Sequence, residues 1–207
     1  MKKIIFTLTF VAMCFTIMAQ EPIKLPNPSL KADVSLYDAL KNRQTNREFS
    51  SKELSLQQLS DLLWCAGGVN RKDGRLTSPT ARNAQEIDIL VLMDNGMYLY
   101  LPKENVLKPV ISDDVREKMS RQDMVVKAPV TLLFFANYEK MDGFNEEARE
   151  FYGATDAGFV SQNVYLFCAA YGLNTVVMGA IDRDYLKSVI PFEGKAILAQ
   201  PVGFPLK

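Results

Sequence analysis

The chain has 207 residues, with 24 lysines and arginines, 24 aspartates and glutamates, and no histidine. The absence of histidine excludes Ser-His-Asp and Cys-His nucleophilic mechanisms and any His-ligated metal site, and we predict no metal centre. The basic residues are scattered along the chain, so no nucleic-acid-binding surface is predicted. The length suits one domain whose chemistry, if any, comes from a bound cofactor or from side chains other than histidine.

The first nineteen residues have the pattern of an export signal. Lys2 and Lys3 precede an apolar run over residues 4–18 that is short for a membrane span, and Ala19 is a small residue suited to cleavage. The alternative is a buried N-terminal helix or an uncleaved anchor. We therefore expect an exported, periplasmic or extracytoplasmic protein without a membrane span after cleavage. The Lys-Lys pair, in place of twin arginines, predicts export before folding.

Residues 20–34 contain three prolines within seven positions, at 22, 26 and 28. This composition predicts an extended N-terminal arm, which either lies on a partner subunit or forms a flexible tether. The folded domain is predicted to run from residue 35 to residue 207.

Two short amphipathic helices open the domain. Ser35 with Asp38, and Ser55 with Gln58, have the spacing of helix-capping pairs. The second helix should end at the glycine pair 67–68. The predicted buried stripes are Leu36, Ala39 and Leu40 in the first helix, and Leu56, Leu59, Leu62 and Leu63 in the second.

Strands and helices alternate along the rest of the chain. Asp94-Asn95-Gly96 is a hairpin turn signal between two apolar runs, and the unbroken run 129–136 is typical of a strand covered on both faces. Pro201 suggests that the last strand lies at a sheet edge. This order predicts an α+β fold with a mixed, mainly antiparallel central sheet covered by helices. The predicted strands are 87–93, 97–101, 129–136, 175–178 and 196–204, and the predicted helices are 113–121, 144–171 and 182–189.

Two cysteines follow the export signal, and each lies in an apolar helical pattern. Cys65 and Cys168 are expected to pack as small hydrophobic residues. A disulfide between them is the alternative, which would require an oxidising compartment and close approach of the two residues.

Two polar clusters have the composition of a ligand site. The first is Arg43-Gln44-Thr45-Asn46-Arg47, at the end of the first helix, where guanidinium and hydroxyl donors suit a phosphate. The second is Pro79-Thr80-Ala81-Arg82-Asn83-Ala84-Gln85, directly before a strand. Alone, either could be a solvated helix end or a turn.

A third segment, residues 153–179, contains a long helix ending in Gly172-Leu173 and a strand leading to Met178-Gly179. Together, the three segments resemble the nitroreductase family of flavoproteins over residues 35–204. That family has an Arg-x-Ser/Thr-x-Arg motif, a Pro-Ser/Thr-x-x-Asn-x-Gln-like segment, and a glycine beside the flavin. Residues 97–107 are similar to the branch that includes azoline-oxidising, SagB-type dehydrogenases of peptide maturation.

The resemblance implies an FMN site with named residues. Arg43, Gln44, Thr45 and Arg47 match the family's phosphate and ring contacts, and Asn83 matches its flavin-contacting asparagine. The backbone of Met178 and Gly179 matches the segment that faces the flavin's reactive nitrogen. Gln85 can add a donor or acceptor to the ribityl chain or the pyrimidine edge. Because the flavin performs the hydride chemistry, we predict no catalytic side chain.

Four further residues are weaker candidates. Phe144, Phe151 and Tyr152 lie near the start of the long helix, where relatives place residues that cover the flavin, although aromatic residues at this spacing are more often core. Many members extend to a basic phosphate contact beyond the point where this chain ends. Lys207 could replace that contact or could simply be solvated.

The predicted function is FMN-dependent transfer of hydride to a nitroaromatic, a quinone or a similar small acceptor, with NAD(P)H as a candidate electron donor. The resemblance also implies a homodimer with shared FMN sites. Two alternatives stay open, an azoline-ring dehydrogenase and a secreted flavin-binding protein without turnover.

Overall fold

The computed structural model describes residues 20–29 and 33–206. The predicted export signal and Lys207 lie outside the described residues. Seven strands form one sheet in the order β1-β4-β3-β2-β5-β7-β6, and every pairing in the described part is antiparallel. The predicted α+β class with a mainly antiparallel sheet is therefore confirmed. The strands are β1 Ile23–Lys24, β2 Ile87–Met93, β3 Gly96–Leu101, β4 Val106–Ile111, β5 Val130–Asn137, β6 Asn174–Thr175 and β7 Gly194–Gly203.

Helices cover both faces of this sheet. The Ser55–Gln58 capping box is present, and Ser35 accepts the Asp38 N–H at 3.1 Å. The longest helix starts after Asn145 and ends at Gly172, which has a left-handed φ of 66°. The helices are α1 Leu36–Asn42, α2 Leu56–Gly67, α3 Arg116–Met119, α4 Met124–Lys127, α5 Glu146–Tyr171 and α6 Arg183–Val189.

Alternation of side chains along the strands divides the apolar residues between two cores. In β2, Ile89 and Val91 join the core with α2 and α5, whereas Leu90 and Leu92 join the core with α3, α4 and α6. All eight residues of β5 are buried, as the unbroken apolar run predicted. The sheet is therefore the middle layer of three.

The first helix departs from its predicted stripe. Only Ala39 is buried in α1, whereas Leu36 is 63% exposed and Leu40 is 48% exposed. The prediction of a buried stripe over these three residues is wrong for the single chain. The apolar residues have the spacing of a helix, but Leu36 and Leu40 face outward. In α2, Leu56 likewise remains exposed.

The last strand is not at the edge. β7 pairs with β5 along its length and with β6 on its other side. The ladder on the β6 side covers only Val202 and Gly203 and resumes as an isolated bridge between Met178 and Ala199. Pro201 lies in this gap, which explains how it is accommodated next to a neighbouring strand.

Residues 20–29 pack against the chain's own sheet. β1 pairs with β4, and Leu25 is buried in the core under α2. Ser29 donates hydrogen bonds to Asp61 from its backbone N–H at 2.7 Å and from its hydroxyl at 3.0 Å. This part of the predicted arm is therefore neither a free tether nor held only by a partner. Within the described part of the chain, none of the helices has the length and apolarity that a membrane crossing requires.

Candidate functional site

The segment Arg43–Arg47 leaves the end of α1 and lies along the short strand β6. Arg43 caps α1 in a non-helical conformation, and the Asn46 N–H donates to the Thr175 carbonyl at 3.0 Å. This bond fixes the segment to the sheet. Arg43 is half-buried, whereas Gln44, Thr45 and Arg47 are exposed.

Tyr165 on α5 connects this segment to the strand that leads to Met178. Its hydroxyl shares a hydrogen bond with the Thr45 hydroxyl at 3.0 Å and accepts the Val177 N–H at 3.0 Å. The guanidinium carbon of Arg43 lies 5.3 Å from the centroid of the tyrosine ring. Sequence reasoning missed Tyr165, although a tyrosine in an otherwise apolar helix needs a partner for its hydroxyl when buried.

The backbone at Met178 is hydrogen-bonded to the sheet, and the adjoining Gly179 remains open on one side. Met178 and Ala199 exchange two backbone hydrogen bonds, at 2.8 Å and 2.9 Å. Gly179 is exposed, and among the described residues a Cβ atom built on it would meet nothing closer than Leu198 at 3.9 Å. The fold of the chain itself therefore gives no steric reason for a glycine at this position. It leaves room for a ligand to approach the backbone.

The electrostatics of the segment favour an anion. Within the described residues, neither Arg43 nor Arg47 forms a salt bridge with a carboxylate. A cavity of about 560 Å³ lies against Arg43 and Gln44, but Thr45 and Gly179 do not line it. Those two residues are exposed outside this cavity, so the chain does not enclose the whole candidate site.

The second polar cluster forms a tight turn over Thr80–Gln85. Arg82, Asn83 and Gln85 adopt left-handed backbone conformations, with φ of 53°, 57° and 52°. The Gln85 N–H donates to the Thr80 hydroxyl at 2.9 Å, and the Gln85 side-chain amide donates to the carbonyl of Gly74 at 3.1 Å. Such conformations are unfavourable for non-glycine residues and persist only where the surroundings hold them, often at functional sites.

The three aromatic candidates lie together beside this turn. Phe144 and Tyr152 pack edge to face with ring centroids 5.8 Å apart, and Phe151 packs on Tyr152 at 5.2 Å. The guanidinium carbon of Arg82 lies 4.6 Å from the centroid of Phe144. Phe144 is buried, whereas Phe151 is 62% exposed and Tyr152 is 37% exposed.

One helix carries the anchors of both clusters. Tyr165 holds the Arg43–Arg47 segment, and Asp156 accepts the Ala81 N–H of the turn at 2.9 Å. The two anchors are nine positions apart in sequence, which corresponds to about 13 Å along α5. The structure therefore places the two clusters on one helix, without direct contact between them among the described hydrogen bonds.

Comparison with known proteins decides the family. The family model described as the nitroreductase family matches residues 40–204. A protein from Methanocaldococcus jannaschii, whose name assigns it to the nitroreductases, is 29% identical over 181 residues, covering 83% of this chain and 91% of that protein. A crystal structure from Ralstonia eutropha, also named for a nitroreductase, is 35% identical with a TM-score of 0.85, covering 91% of both chains.

The chain belongs to the nitroreductase family. The predicted family and fold are thereby confirmed, and the family's activity is oxidoreduction. A more distant structure from Staphylococcus epidermidis, named for NAD(P)H:FMN oxidoreduction, has a TM-score of 0.64 at 14% identity and covers 88% of this chain and 92% of that chain. That similarity concerns the fold alone. The comparisons do not resolve the branch with azoline-oxidising dehydrogenases.

Cys65 and Cys168, the two cysteines in the described part of this nitroreductase-family chain, are free thiols. Burial raises the pKa of Cys65 to about 11. Cys168 is fully buried in the core, and burial raises its pKa still further above the ordinary range. Because the thiolate is the reactive form, neither residue is suited to nucleophilic chemistry, and both pack as small hydrophobic side chains.

Proposed function

We propose that this nitroreductase-family protein is an FMN-dependent oxidoreductase acting on a nitroaromatic, a quinone or a similar small acceptor. The observation that carries the proposal is the pair Arg43 and Arg47, which have no carboxylate partners in the described part of the chain. Their segment is joined through Tyr165 to the strand that leads to the open backbone at Gly179. The Tyr165 hydroxyl makes this link through its hydrogen bonds to the Thr45 hydroxyl and the Val177 N–H.

The residues present fit the chemical demands of FMN. Arg43 and Arg47 would hold the phosphate by charge-assisted hydrogen bonds, and Thr45 can add a hydroxyl. Asn83 and Gln85 offer amide donors and acceptors for the ribityl chain or the pyrimidine edge. FMN, when bound, supplies the hydride chemistry, so the protein's task is to bind it, orient it and limit its access to water.

The electron donor depends on the compartment. The relative from Staphylococcus epidermidis named for NAD(P)H:FMN oxidoreduction supports NAD(P)H as a candidate donor. We also propose that the chain is exported, and nicotinamide donors are not expected to be plentiful outside the cytoplasm. Turnover should therefore be measured both with NAD(P)H and with an artificial one-electron donor.

We further propose a homodimer in which each FMN site is completed by the partner chain. Leu36, Tyr37 and Leu40 of α1 are exposed, and so is Phe159 of α5. Gly158 lies within α5, and apart from the helix itself no heavy atom of the described residues lies within 4 Å of a Cβ built on it. A glycine in the middle of a helix costs about 1 kcal/mol relative to alanine. Close approach of a second chain at this position would explain why a residue without a side chain is present. This open apolar face supports a second copy covering α1 and α5.

The test is removal of the two arginines. Flavin titration of the purified Arg43→Ala/Arg47→Ala protein, followed by FMN fluorescence, should show an affinity at least tenfold below wild type. Hydrogen bonds to charged groups contribute about 1.5–3 kcal/mol each, and about 1.4 kcal/mol corresponds to a factor of ten.

A matched control is Arg71→Ala/Arg75→Ala, which removes two arginines at the same spacing from an exposed loop. Wild-type FMN affinity in the Arg43/Arg47 variant would place the phosphate elsewhere. Tight FMN binding by the wild type, with no turnover of any donor and acceptor pair, would instead support a flavin-binding protein without catalytic activity.

A further inference from the structure

Two carboxyl groups are buried together beneath the Thr80–Gln85 turn. Glu86 is 0% exposed and Asp156, on α5, is 3% exposed. Neither carboxylate oxygen of Glu86 has a hydrogen-bond donor within the described part of the chain. An ionised carboxylate in such a place is unfavourable, because burial removes water and no side chain in the described part of the chain donates a hydrogen bond in its place.

A single proton shared between the two carboxyl groups would remove one of these unfavourable buried charges. The side chains of Glu86 and Asp156 lie within hydrogen-bonding reach of each other. Two ionised carboxylates can only accept, whereas a protonated Glu86 can donate to Asp156. Burial, followed by the contact with Asp156, raises the pKa of Glu86 from 4.5 to about 7. Two carboxyl groups that share one site commonly behave in this way.

The other charges near Glu86 do not replace this proton. Lys140 faces Glu86 from the short 3₁₀ helix Tyr138–Lys140, and its charge favours the ionised form. The same ammonium group already pairs with the carboxylate of Asp88, two residues further along β2. Arg82 of the turn is directed over the ring of Phe144. Asp156 is the group from α5 that faces Glu86.

The carboxyl pair is connected to both ends of the turn. Asp156 accepts the N–H of Ala81 at 2.9 Å, close to the start of the turn. Glu86 directly follows Gln85, and its carbonyl accepts the Asn137 N–H at 2.9 Å from β5. The left-handed residues Asn83 and Gln85 therefore lie between the two carboxyl-bearing anchors.

We infer that Glu86 and Asp156 are positioning residues that share one proton, and that this proton holds the Thr80–Gln85 turn in its ligand-binding conformation. Loss of the proton leaves two buried charges that repel each other and loosens the anchor at Ala81. The shared proton is a property of the protein alone. Its consequence for FMN rests on the proposed function, in which Asn83 and Gln85 contact the flavin.

The sign of the pH effect follows from linkage. Between pH 4.5 and about 7, the folded chain keeps a proton on Glu86 that the unfolded chain releases. The stability that this protonated pair contributes is therefore lost as pH rises through that window. If binding requires the protonated pair, FMN affinity should fall above neutral pH by up to about tenfold per pH unit, the limit for one coupled proton.

The first experiment uses flavin-free protein. Thermal unfolding is followed from pH 5 to pH 8 for wild type, for Glu86→Gln, and for the exposed control Glu104→Gln. Glutamine keeps a donor toward Asp156 but cannot titrate, so Glu86→Gln should remove a decline in melting temperature that wild type and the control both show. Equal pH profiles for all three proteins would overturn the shared proton. If Glu86→Gln does not fold, Asp156→Asn is compared instead. Glu86 still titrates in that variant, but the asparagine amide can donate to its ionised form, so the decline should be smaller than in wild type.

The second experiment measures FMN affinity across the same pH range by fluorescence titration. Comparing wild type with Glu86→Gln cancels the titration of the FMN phosphate, since both proteins bind the same ligand. Wild-type affinity should fall above neutral pH more steeply than that of Glu86→Gln. Parallel profiles would refute the positioning role. Failure of wild type to bind FMN at any pH would refute the proposed function, while the flavin-free comparison would still decide whether the proton is shared.

Discussion

Removing one hydroxyl, in Tyr165→Phe, should loosen the candidate site without unfolding the protein. The hydroxyl of Tyr165 bonds the Thr45 hydroxyl and the Val177 N–H, both at 3.0 Å. A hydrogen bond of this kind contributes about 0.5–1.5 kcal/mol, so the loss of two should cost about 1–3 kcal/mol. The phenyl ring can still pack in the core and under Arg43, so most of the cost should be local.

Two measurements separate the local effect from the global one. For a chain of this size, 1 kcal/mol shifts the melting temperature by about 2–4 °C, so flavin-free Tyr165→Phe should melt several degrees below wild type. FMN affinity should fall as well, because the Thr45 side and the Gly179 side lose their common anchor. Tyr185→Phe is the control, since its hydroxyl has no hydrogen-bond partner within the described residues. An unchanged melting temperature together with unchanged FMN affinity would refute the anchoring role.

Three further predictions concern the open space at Gly179, the assembly of the protein and its export. Gly179→Leu should fold normally, because a side chain there meets open space, but it should weaken FMN binding in fluorescence titration; full affinity would show that no ligand approaches this backbone. Phe159→Asp should shift the protein toward monomer in light scattering, whereas Leu206→Asp, at another exposed apolar residue, should not. A wild-type monomer that keeps its flavin on dilution would contradict the shared site. N-terminal sequencing of the fractionated protein should give a start near Gln20, and a cytoplasmic protein beginning at Met1 would contradict export.

Local sequence signals predicted much of the fold because their physical causes are local. The Ser55–Gln58 box and the Asp94-Asn95-Gly96 turn involve residues close together in the chain, and both occur as predicted. The burial of β5 followed from its unbroken apolar composition. Sequence analysis missed β4, which carries Lys108 and Pro109 and lacks a clear apolar alternation. β4 is recognised as a strand only through its hydrogen bonds to β3 in the assembled sheet, which its own sequence does not reveal.

The candidate site shows the same division between local and distant causes. Arg43 and Asn83 were proposed from the composition of two polar clusters and from the family resemblance, both of which report residue types at particular positions. Their anchors, Tyr165 and Asp156, were not found, because each acts across the fold on a segment far away in sequence. The burial of Glu86 could not be predicted from the sequence either, since a glutamate after a turn is normally solvated.

The open face of α5 gives a physical reason to connect dimerisation with flavin binding. Asp156 and Tyr165 are buried against the chain's own turn and strand, whereas Gly158 and Phe159, between them in sequence, face outward. A second copy packed on that outward face would contact α5, the helix that positions both clusters. It could also cover the exposed side of Thr45 and Gly179, which this chain leaves open. Flavin binding and dimerisation should then stabilise each other, because a ligand that favours the dimer must bind the dimer more tightly. Phe159→Asp should therefore weaken FMN binding as well as assembly, although Phe159 is not among the residues assigned to the flavin.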